Sequence, residues 1–333
     1  MKIKEIIGSG FSLGQPYHFS ALGVAPVISD GIIAIPPLDL LDEALEKKTL
    51  TITEVSEATV PLLRVENRSP DRSCLLLEGA VISGGKQTRN LIASVIVLAG
   101  TTIQIPVACV ERNRWSYTRR DFKSASSILR AKSKRVQKSS VTASLRHNGT
   151  YRADQGAVWR ETQDSLNLAG THSPTSNYRD AHEKMASRLQ DFVQAIPPAP
   201  NQLGAIFFSH EGVIGAELLA TPELFSRSND QIVGSFAWEA LSAPPLNRIR
   251  IDPIKGWWEN VLESPATLHQ SVGVGDDIRI QTDQIIGSGL IYGGIMTHLS
   301  CFPIDPLFDR PPSRLTRSSI RERQRNLRST IGD

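Results

Sequence analysis

The stretch LLLEGAVISGGKQTRNLIASVIVLAG, residues 75–100, indicates the fold class more clearly than any other part of this 333-residue chain. Apolar runs of strand length lie on both sides of a polar turn at Ser83, Gly84 and Gly85. Antiparallel strands can be joined by a tight turn, whereas parallel strands need a long crossover connection. The stretch therefore predicts antiparallel hairpins rather than βαβ units.

Similar strand-like runs occur on both sides of this stretch. Apolar runs bounded by turn residues predict strands at 31–35, 50–55, 60–65, 74–77, 91–99, 102–110, 204–209, 213–220, 278–280, 285–292 and 295–301. Helical periodicity and capping residues predict helices at 39–48, 122–136, 155–168, 178–193 and 249–264, and another that begins at 221–223. Glycines and prolines predict irregular structure at 1–30, and polar residues predict a loop at 139–154.

The order of these elements predicts an α+β fold. The most economical arrangement is a largely antiparallel sheet assembled from both ends of the chain, with helices packed on it. The predicted organisation is an irregular segment at 1–20, an α+β domain at 21–302 with a basic helical insertion near 116–140, and a Pro/Arg-rich tail at 303–333. The composition of this tail predicts disorder.

Composition places the chain among ordinary globular proteins, with 40% apolar and 21% charged residues. Cys74, Cys109 and Cys301 are far apart in the sequence, which predicts reduced thiols and a cytoplasmic location. The sequence lacks the Cys and His spacings of a structural zinc site. Its longest apolar stretch, at 91–100, is too short to cross a bilayer, so we expect no membrane association.

The net charge of +3 conceals two strongly basic segments. Residues 112–138 contain ten Lys/Arg and one acid, and residues 310–328 contain seven Arg and one acid. Charge runs of this kind are usually solvated helix faces or tails. The alternative is a nucleic-acid partner that binds through 119–138 and 310–328, since clustered Lys and Arg neutralise phosphates.

Acidic and imidazole side chains at predicted strand ends are the candidate catalytic groups. Glu78 and Glu111 each end a strand, so their carboxylates would face each other if the strands are neighbours. Such a pair does general acid/base work or holds a divalent cation, and Mg²⁺ is the candidate cofactor. The alternative for these carboxylates is ion pairing with Arg89 and Arg114. His298 is the histidine in apolar context, and its alternative role is that of a core residue.

Other polar residues near the same strand ends are the candidate ligand-binding groups. Glycines at a turn let backbone N–H groups approach an anion, and Lys and Arg add charge. The candidates are Gly84, Gly85, Lys86, Gln87, Arg89, Arg114, Trp115, Gln155 and Trp159. The alternative is a plain hairpin turn with exposed charges, with Trp115 in the core.

The order of these polar segments resembles that of a known family. The matching residues are E-G at 78–79, G-G-K-Q at 84–87 with R at 89, C-V-E-R-N-R-W at 109–115, Q-G-x-V-W at 155–159, G-x-I-F-F at 204–208, G-V-I-G-A-E at 212–217, P-E-L-F at 222–225, G-S-G-L at 287–290 and H-L-S-C-F at 298–302. Over roughly residues 20–302 this pattern resembles the ARPP-1 family, the ARG and rhodanese-phosphatase superfamily-associated protein domain.

The resemblance implies an association with ADP-ribosylglycohydrolases and rhodanese-like phosphatases, and a role in processing ADP-ribose or a related nucleotide. It also implies that the polar positions of the pattern share one site. These positions are Glu78, Lys86, Gln87, Arg89, Glu111, Trp115, Gln155, Trp159 and His298. We therefore expect the chain to bind or process a phosphorylated nucleotide ligand related to ADP-ribose or NAD. A nucleic-acid-associated protein and a non-catalytic interaction module are the alternatives, and the sequence leaves open whether the chain is an enzyme.

Overall fold

The computed structural model describes residues 1–8, 10–31, 34–55 and 61–304. Its helices are α1 (Ile3–Ile7), α2 (Leu41–Glu46), α3 (Ala131–Asn148), α4 (Gln155–Ala169), α5 (Tyr178–Ala195), α6 (Pro222–Ala240) and α7 (Ile251–Glu263). None of the helices in these residues is both long enough and apolar enough to cross a membrane.

The strands of the described residues lie before, between and after these helices along the chain. They are β1 (Phe11–Leu13), β2 (Tyr17–Phe19), β3 (Leu22–Ser29), β4 (Leu38–Leu40), β5 (Leu50–Glu54), β6 (Leu62–Asn67), β7 (Ser73–Leu76), β8 (Ala80–Gly84), β9 (Arg89–Leu91), β10 (Val95–Val97), β11 (Thr102–Cys109), β12 (Phe122–Ile128), β13 (Gln202–Ser209), β14 (Gly212–Leu219), β15 (Ala266–Gln270), β16 (Asp276–Gln281), β17 (Ile285–Tyr292) and β18 (Ile295–Pro303).

The largest sheet in the described part of the chain runs β1-β3-β13-β14-β18-β17-β16-β15, and β2 also pairs with β3. Its strand pairings are antiparallel. The strands come from residues 11–29 and from residues 202–303. This confirms the α+β fold with a largely antiparallel sheet assembled from both ends of the chain.

Helices cover both faces of this large sheet. Successive side chains of a strand point to opposite faces. On β13, Ile206 and Phe208 belong to the apolar core that contains Trp258 of α7. Phe207, between them, stacks on Phe236 of α6 with 4.1 Å between ring centroids. Because both faces are covered, β13 is apolar along its length instead of alternating with polar residues.

The middle of the chain forms two smaller sheets, in the orders β12-β8-β9-β11-β6-β5 and β10-β7-β4. The two edges of the first sheet approach each other, since an isolated bridge joins Thr53 to Asp121. The sheet therefore curls towards a barrel around an apolar core that includes Ile52, Val65 and Phe122. The 75–100 stretch supplies β8, β9 and β10, which confirms the predicted hairpins.

The helix predicted at 122–136 is wrong in its first half. Residues 122–128 form β12, which pairs with β8 and has a register irregularity between Ser124 and Ile128. Helix α3 begins at Ala131 and runs to Asn148, so the loop predicted at 139–154 is also largely helical. Pairing with β8 overrides the helical propensity of the first segment, and Gly149 in the left-handed conformation ends α3.

The irregular structure predicted for residues 1–30 is also wrong, because these residues form α1, β1, β2 and β3. From the sequence, glycines in this region predict irregular structure. One of them, Gly23, instead allows a neighbouring side chain to pack closely against a strand. A Cβ atom at Gly23 would lie 2.1 Å from the ring of Phe208 on the neighbouring strand. Glycine is therefore used here inside a buried strand, where backbone and side chain approach closely.

The remaining differences between prediction and structure are smaller. Residues 34–35 are not a strand, and residues 32–33 lie outside the described residues. The strand predicted at 91–99 is divided between β9 and β10, which belong to different sheets. The strands β4, β8 and β15 were not among the predicted strands. The predicted disordered tail lies, from residue 305 onward, outside the described residues. The three cysteines are free, as predicted, and all three are buried.

We predict that Gly84→Ala destabilises the protein by about 1–3 kcal/mol. Gly84 has a φ of 147°, and a Cβ there would lie 2.3 Å from the backbone oxygen of Asp121 on the adjacent chain segment. The matched control is Gly234→Ala inside α6, where a Cβ meets no atom within 4 Å. This control should gain roughly 0.5–1 kcal/mol from helix propensity. Urea unfolding measures both, and equal stability of the two variants would contradict the close approach of β8 and β12.

Candidate functional site

The candidate residues form two clusters at opposite ends of β8. Glu78 precedes β8, and Glu111 follows β11. Cys109 of β11 is paired with Arg89 of β9, and Arg89 is paired with Ile82 of β8. Glu111 is therefore level with Gly84, the last residue of β8. Strands rise about 3.3 Å per residue, so the backbones of Glu78 and Glu111 are roughly 20 Å apart along the sheet. Glu78 and Glu111 do not face each other, so they do not form the acid/base pair that the sequence suggested.

Glu78 and His298 belong to a cluster of buried polar side chains, here called the interior network. It lies where α3 passes between the large sheet and the turn that precedes β8. Its members are Glu78, Ser94, Lys134, Lys138, Glu217, Asp277, Arg279, Ser288, His298 and Ser300, and each is at most 6% exposed. Burial of this many ionisable groups requires that they pair with one another.

One half of the interior network surrounds the Glu78 carboxylate. Lys138 donates to it at 2.6 Å and also donates to the hydroxyl of Ser288. Ser288 in turn donates to the same carboxylate oxygen at 2.6 Å. Nearby on β16, Arg279 donates to both carboxylate oxygens of Asp277, at 2.6 and 2.7 Å. Helix α3, β17 and the turn before β8 are thereby connected by charged groups.

The other half of the interior network surrounds Glu217 on β14. Lys134 donates to one carboxylate oxygen at 2.6 Å, and Nε2 of His298 donates to the other at 2.8 Å. The hydroxyl of Ser94 is hydrogen-bonded to Nδ1 of His298 at 2.8 Å and accepts from the backbone N–H of Glu78 at 2.9 Å. Ser94 therefore connects the Glu78 and Glu217 groups by hydrogen bonds.

Ser94, His298 and Glu217 are hydrogen-bonded in sequence, as the nucleophile, base and orienting acid of a catalytic triad are. Ser94 is, however, only 6% exposed, and His298 and Glu217 are fully buried. The Glu217 carboxylate also accepts hydrogen bonds from Lys134 and from Ser300, the latter at 3.0 Å. The arrangement is that of an enclosed chain of hydrogen bonds, and the catalytic role expected of His298 stays a prediction.

Neighbouring cations decide the charge of the buried carboxyls. Burial alone would raise the pKa of Glu217, yet Lys134 and the hydrogen bond from His298 lower this pKa to about 2. Burial is likewise outweighed at Glu78, where Lys138 and Arg279 hold the pKa of the carboxyl below its ordinary value. Both carboxyls are therefore ionised at neutral pH, inside the protein.

Glu111 lies in the second cluster, where its partners include an arginine and both the backbone N–H and the hydroxyl of Thr88. Arg114 donates to its two oxygens at 2.9 and 2.7 Å, and the backbone N–H of Thr88 donates at 2.8 Å. Burial opposes the charge on Glu111, but these hydrogen bonds keep its pKa below the ordinary value. The ion pair between Glu111 and Arg114 is the alternative role that the sequence offered for both residues.

Three of the candidate ligand-binding residues form a link between β9, β11 and α4. Gln155 accepts from the backbone N–H of Cys109 at 2.9 Å and donates to its carbonyl at 2.7 Å. Arg89 donates to Gln87 at 2.6 Å, and Gln87 donates to the carbonyl of Arg112 at 3.3 Å. Gln87 and Arg89 are at most 2% exposed. These two residues therefore position the loop at 112–120 and are not in a position to bind a ligand directly.

The turn at Gly84 and Gly85 already uses part of the backbone that the sequence suggested as an anion cradle. The backbone N–H of Lys86 already donates to the carboxylate of Glu54 at 3.2 Å. The carbonyl of Gly85 accepts from the guanidinium of Arg114 at 2.9 Å and from the backbone N–H of Thr118 at 3.2 Å. The turn anchors the following loop instead.

The part of the second cluster that reaches solvent is here called the basic–aromatic surface. It consists of the exposed Arg112, Trp115, Tyr117 and Arg120 and the half-buried Lys86 and Trp159. Trp115 is 59% exposed and Tyr117 is 47% exposed. The Lys86 ammonium lies 5.2 Å from the ring centroid of Tyr117, and the Arg112 guanidinium lies 5.1 Å from that of Trp159. These distances are those of cation–π contacts, so charge and aromatic area are presented together.

No group of three or more His, Cys, Asp or Glu side chains that could hold a metal ion occurs in the described part of the chain. The oxygens of Glu111 are both engaged by Arg114, and Glu78 is engaged by Lys138. The geometry therefore offers no support for the Mg²⁺ considered from the sequence.

Sequence reasoning missed Lys134, Lys138, Glu217, Asp277 and Arg279 as members of a shared site. Weak signals were present. Glu217 interrupts the apolar run of β14, the two lysines are four residues apart on one helix face, and Asp277 and Arg279 alternate on one face of β16. None of these signals indicates which charges meet across the fold.

We predict that Glu78→Gln lowers the free energy of unfolding by about 3–5 kcal/mol, because it leaves Lys138 buried without its counter-charge. The double variant Glu78→Gln with Lys138→Met should lose less than the sum of the two single variants. Glu263→Gln is the control, since its ion pairs with Lys2 and Lys4 are half exposed and stabilise little. Urea unfolding would contradict the prediction if Glu78→Gln cost no more than the control.

Glu217 should make stability depend on acid pH. Its pKa is lowered to about 2 from an ordinary 4.5, so its contribution is complete above about 4.5 and is lost as the pH falls towards 2. The loss should amount to roughly 3 kcal/mol. Chemical unfolding at a series of pH values measures it, with Glu259→Gln, a change at an exposed carboxyl on α7, retaining the same acid dependence. A stability that stays constant over this range would contradict the assignment.

Comparison with known proteins places both clusters in one family domain. The model of the ARG and Rhodanese-Phosphatase-superfamily-associated Protein domain, ARPP-1, matches residues 10–302. No curated protein and no solved structure matches the chain. The match contains all of the candidate residues and spans most of the chain, so the chain belongs to the ARPP-1 family.

Proposed function

We propose that this protein binds a phosphorylated nucleotide, of the ADP-ribose or NAD type, at the basic–aromatic surface. The observation that carries the proposal is that cations without acidic partners among the described residues lie beside aromatic rings, on an anchored loop and on the turn that it contacts. Such a surface can neutralise phosphate and stack on a base at the same time.

The charge balance of this surface favours an anionic ligand. Lys86, Arg112 and Arg120 have no ion pair within the described residues, whereas three carboxylates close to them in the described part of the chain are paired. These pairs are Glu54 with Arg89, Glu111 with Arg114, and Asp121 with Arg119. The internal charges thus cancel locally, and the remaining cations give the surface a net positive charge.

The aromatic residues provide flat area for a nucleobase. Trp115 and Tyr117 are two residues apart, and both are among the exposed large hydrophobic residues of the described chain. Trp159 on α4 is partly buried beneath Arg112. Stacking of a base on an aromatic side chain typically contributes about 1–3 kcal/mol to binding, so these rings can supply much of the affinity for a nucleotide.

The loop that carries these side chains is held in place before any ligand arrives. The backbone N–H groups of Arg112 and Asn113 both donate to the carbonyl of Thr175 at 3.0 Å. Arg114 ties the loop to Gly85 and to the carbonyl of Ser116, at 2.9 and 2.8 Å. A pre-organised loop loses less conformational entropy on binding than a free one.

Binding is favoured over processing because the expected catalytic groups lie elsewhere or are engaged. Glu78 and His298 are enclosed in the interior network, and the Glu111 carboxylate is occupied by Arg114 and Thr88. The choice of ADP-ribose as the first ligand rests on the association with ADP-ribosylglycohydrolases that the family resemblance implies.

We predict that ADP-ribose raises the melting temperature of the protein and that Trp115→Ala combined with Lys86→Ala abolishes most of the increase. Ligand at a hundred times its Kd adds about 2.7 kcal/mol to stability, which a thermal-shift experiment detects. Loss of one stacked ring weakens binding by about 1–3 kcal/mol. NAD and inorganic phosphate test whether the base and the phosphates are both needed.

The matched control is Lys255→Ala, which removes an exposed lysine on α7. It should respond to ADP-ribose as the unaltered protein does, because α7 packs on the large sheet and contributes nothing to the basic–aromatic surface. An equal response of the Trp115/Lys86 variant and the Lys255 variant would refute the proposed site. Absence of any response to ADP-ribose and NAD would refute the proposed ligand class.

A further inference from the structure

The chain leaves the basic–aromatic surface along the wall of a groove. This seam groove has a volume of about 570 Å³ and lies where the two edges of the barrel-like sheet, β5 and β12, approach each other. One wall is the continuation of the loop, and the other is the end of α2 with β5. The lining residues are Leu45, Glu46, Lys48, Leu50, Thr51, Ile52, Arg119, Asp121, Phe122 and Lys123.

The charges along the seam groove continue those of the basic–aromatic surface. Lys48 and Lys123 are exposed and form no ion pair with a described residue. Arg119 and Asp121 neutralise each other through hydrogen bonds of 2.8 and 2.7 Å. Glu46 is an exposed carboxylate on the opposite wall that has no cationic partner among the described residues. The groove is therefore basic, with one acid that opposes an anionic occupant.

We propose that the basic–aromatic surface and the seam groove together form a track for single-stranded nucleic acid. Consecutive bases stack on Trp115 and Tyr117, and the phosphodiester backbone passes Arg120 and enters the groove between Lys48 and Lys123. This inference rests on the proposed function, because the same aromatic residues hold the base of a nucleotide. It extends that function from one nucleotide to several in succession.

A single strand fits this track better than a duplex does. Trp115 and Tyr117 expose much of their ring area, and only unpaired bases have free faces to stack on such rings. A duplex would offer its phosphates alone, and would leave the rings without partners. The interleaving of Arg112, Trp115, Tyr117 and Arg120 along one loop is the combination of stacking platform and backbone charge found in proteins that bind single strands.

This track differs from the nucleic-acid surface expected from the sequence at 119–138. In that expectation the basic residues of a helix faced the solvent. Lys134 and Lys138 are instead buried, at 1% and 0% exposure, and bind Glu217 and Glu78. They are not available to phosphates, so the basic charge that a strand can reach lies on the loop and in the groove.

Fluorescence anisotropy with labelled single strands of about eight nucleotides tests the proposal. RNA and DNA strands are used separately, with a duplex of the same length and with ADP-ribose as the single-nucleotide probe. Lys48→Gln combined with Lys123→Gln changes only the groove, Trp115→Ala changes only the stacking surface, and Lys255→Ala is the control. Glu46→Gln removes the opposing charge from the groove.

We expect RNA or DNA single strands to bind about tenfold more tightly than ADP-ribose and than the duplex, at the same salt concentration. The groove double variant should weaken strand binding by about tenfold. The slope of log K against log salt concentration should also become less steep, by about 0.7 for each phosphate that is no longer neutralised. It should leave ADP-ribose binding unchanged. Glu46→Gln should tighten strand binding alone, and Trp115→Ala should weaken both ligands.

The two proposals fail in different ways. Strand binding that is unaffected by both the groove double variant and Glu46→Gln would overturn the track, while ADP-ribose binding that depends on Trp115 would leave the nucleotide site standing. Duplex binding as tight as single-strand binding would also overturn the track. Strand binding that depends on Trp115 and the groove, without any ADP-ribose binding, would support the track and refute the single-nucleotide ligand.

Discussion

The ion pairs of Lys134 with Glu217 and of Lys138 with Glu78 hold together distant parts of the chain. One helix, α3, thereby joins β14 of the large sheet to the turn before β8 of the smaller one, through bonds of 2.6 Å at each lysine. Buried ion pairs contribute little net stability compared with apolar packing, but a buried charge left without its partner is very costly. The network therefore penalises any arrangement in which α3 or either sheet is displaced.

This constraint separates the polar residues of the family pattern into two roles. Glu78 and His298 belong to the interior network, where each is bound by other side chains. Lys86 and Trp115 lie at the other end of β8, on a turn and a loop that the buried Gln87 and its neighbours support. The sheet between the two ends provides a rigid support, so the loop can present cations and exposed rings without relying on them for stability.

The expectations drawn from the residue pattern succeed where chemistry is local. Alternation, glycine turns and capping residues identified most strands, and α4, α5 and the Thr221-capped α6 appear where predicted, with the Thr221 hydroxyl accepting from the N–H of Leu224 at 3.2 Å. They are wrong where pairing or packing with a distant segment determines the local structure. Residues 122–128 become a strand because they pair with β8, and Gly23 lies within a strand because Phe208 packs over it.

The sequence by itself determined the α+β class, the joining of the two chain ends in one sheet, the family membership and the strand ends at which polar residues collect. Only the tertiary structure decided which of those residues meet. The segment 119–138 shows the reason. A lysine in sequence is assumed to be solvated because burying its charge is unfavourable, and the exception at Lys134 and Lys138 exists only through acids that lie 83 and 60 residues away along the chain. Ion pairs between residues so far apart in the chain leave no local sequence pattern. The exposed loop at 112–120, in contrast, is visibly basic and aromatic in the sequence.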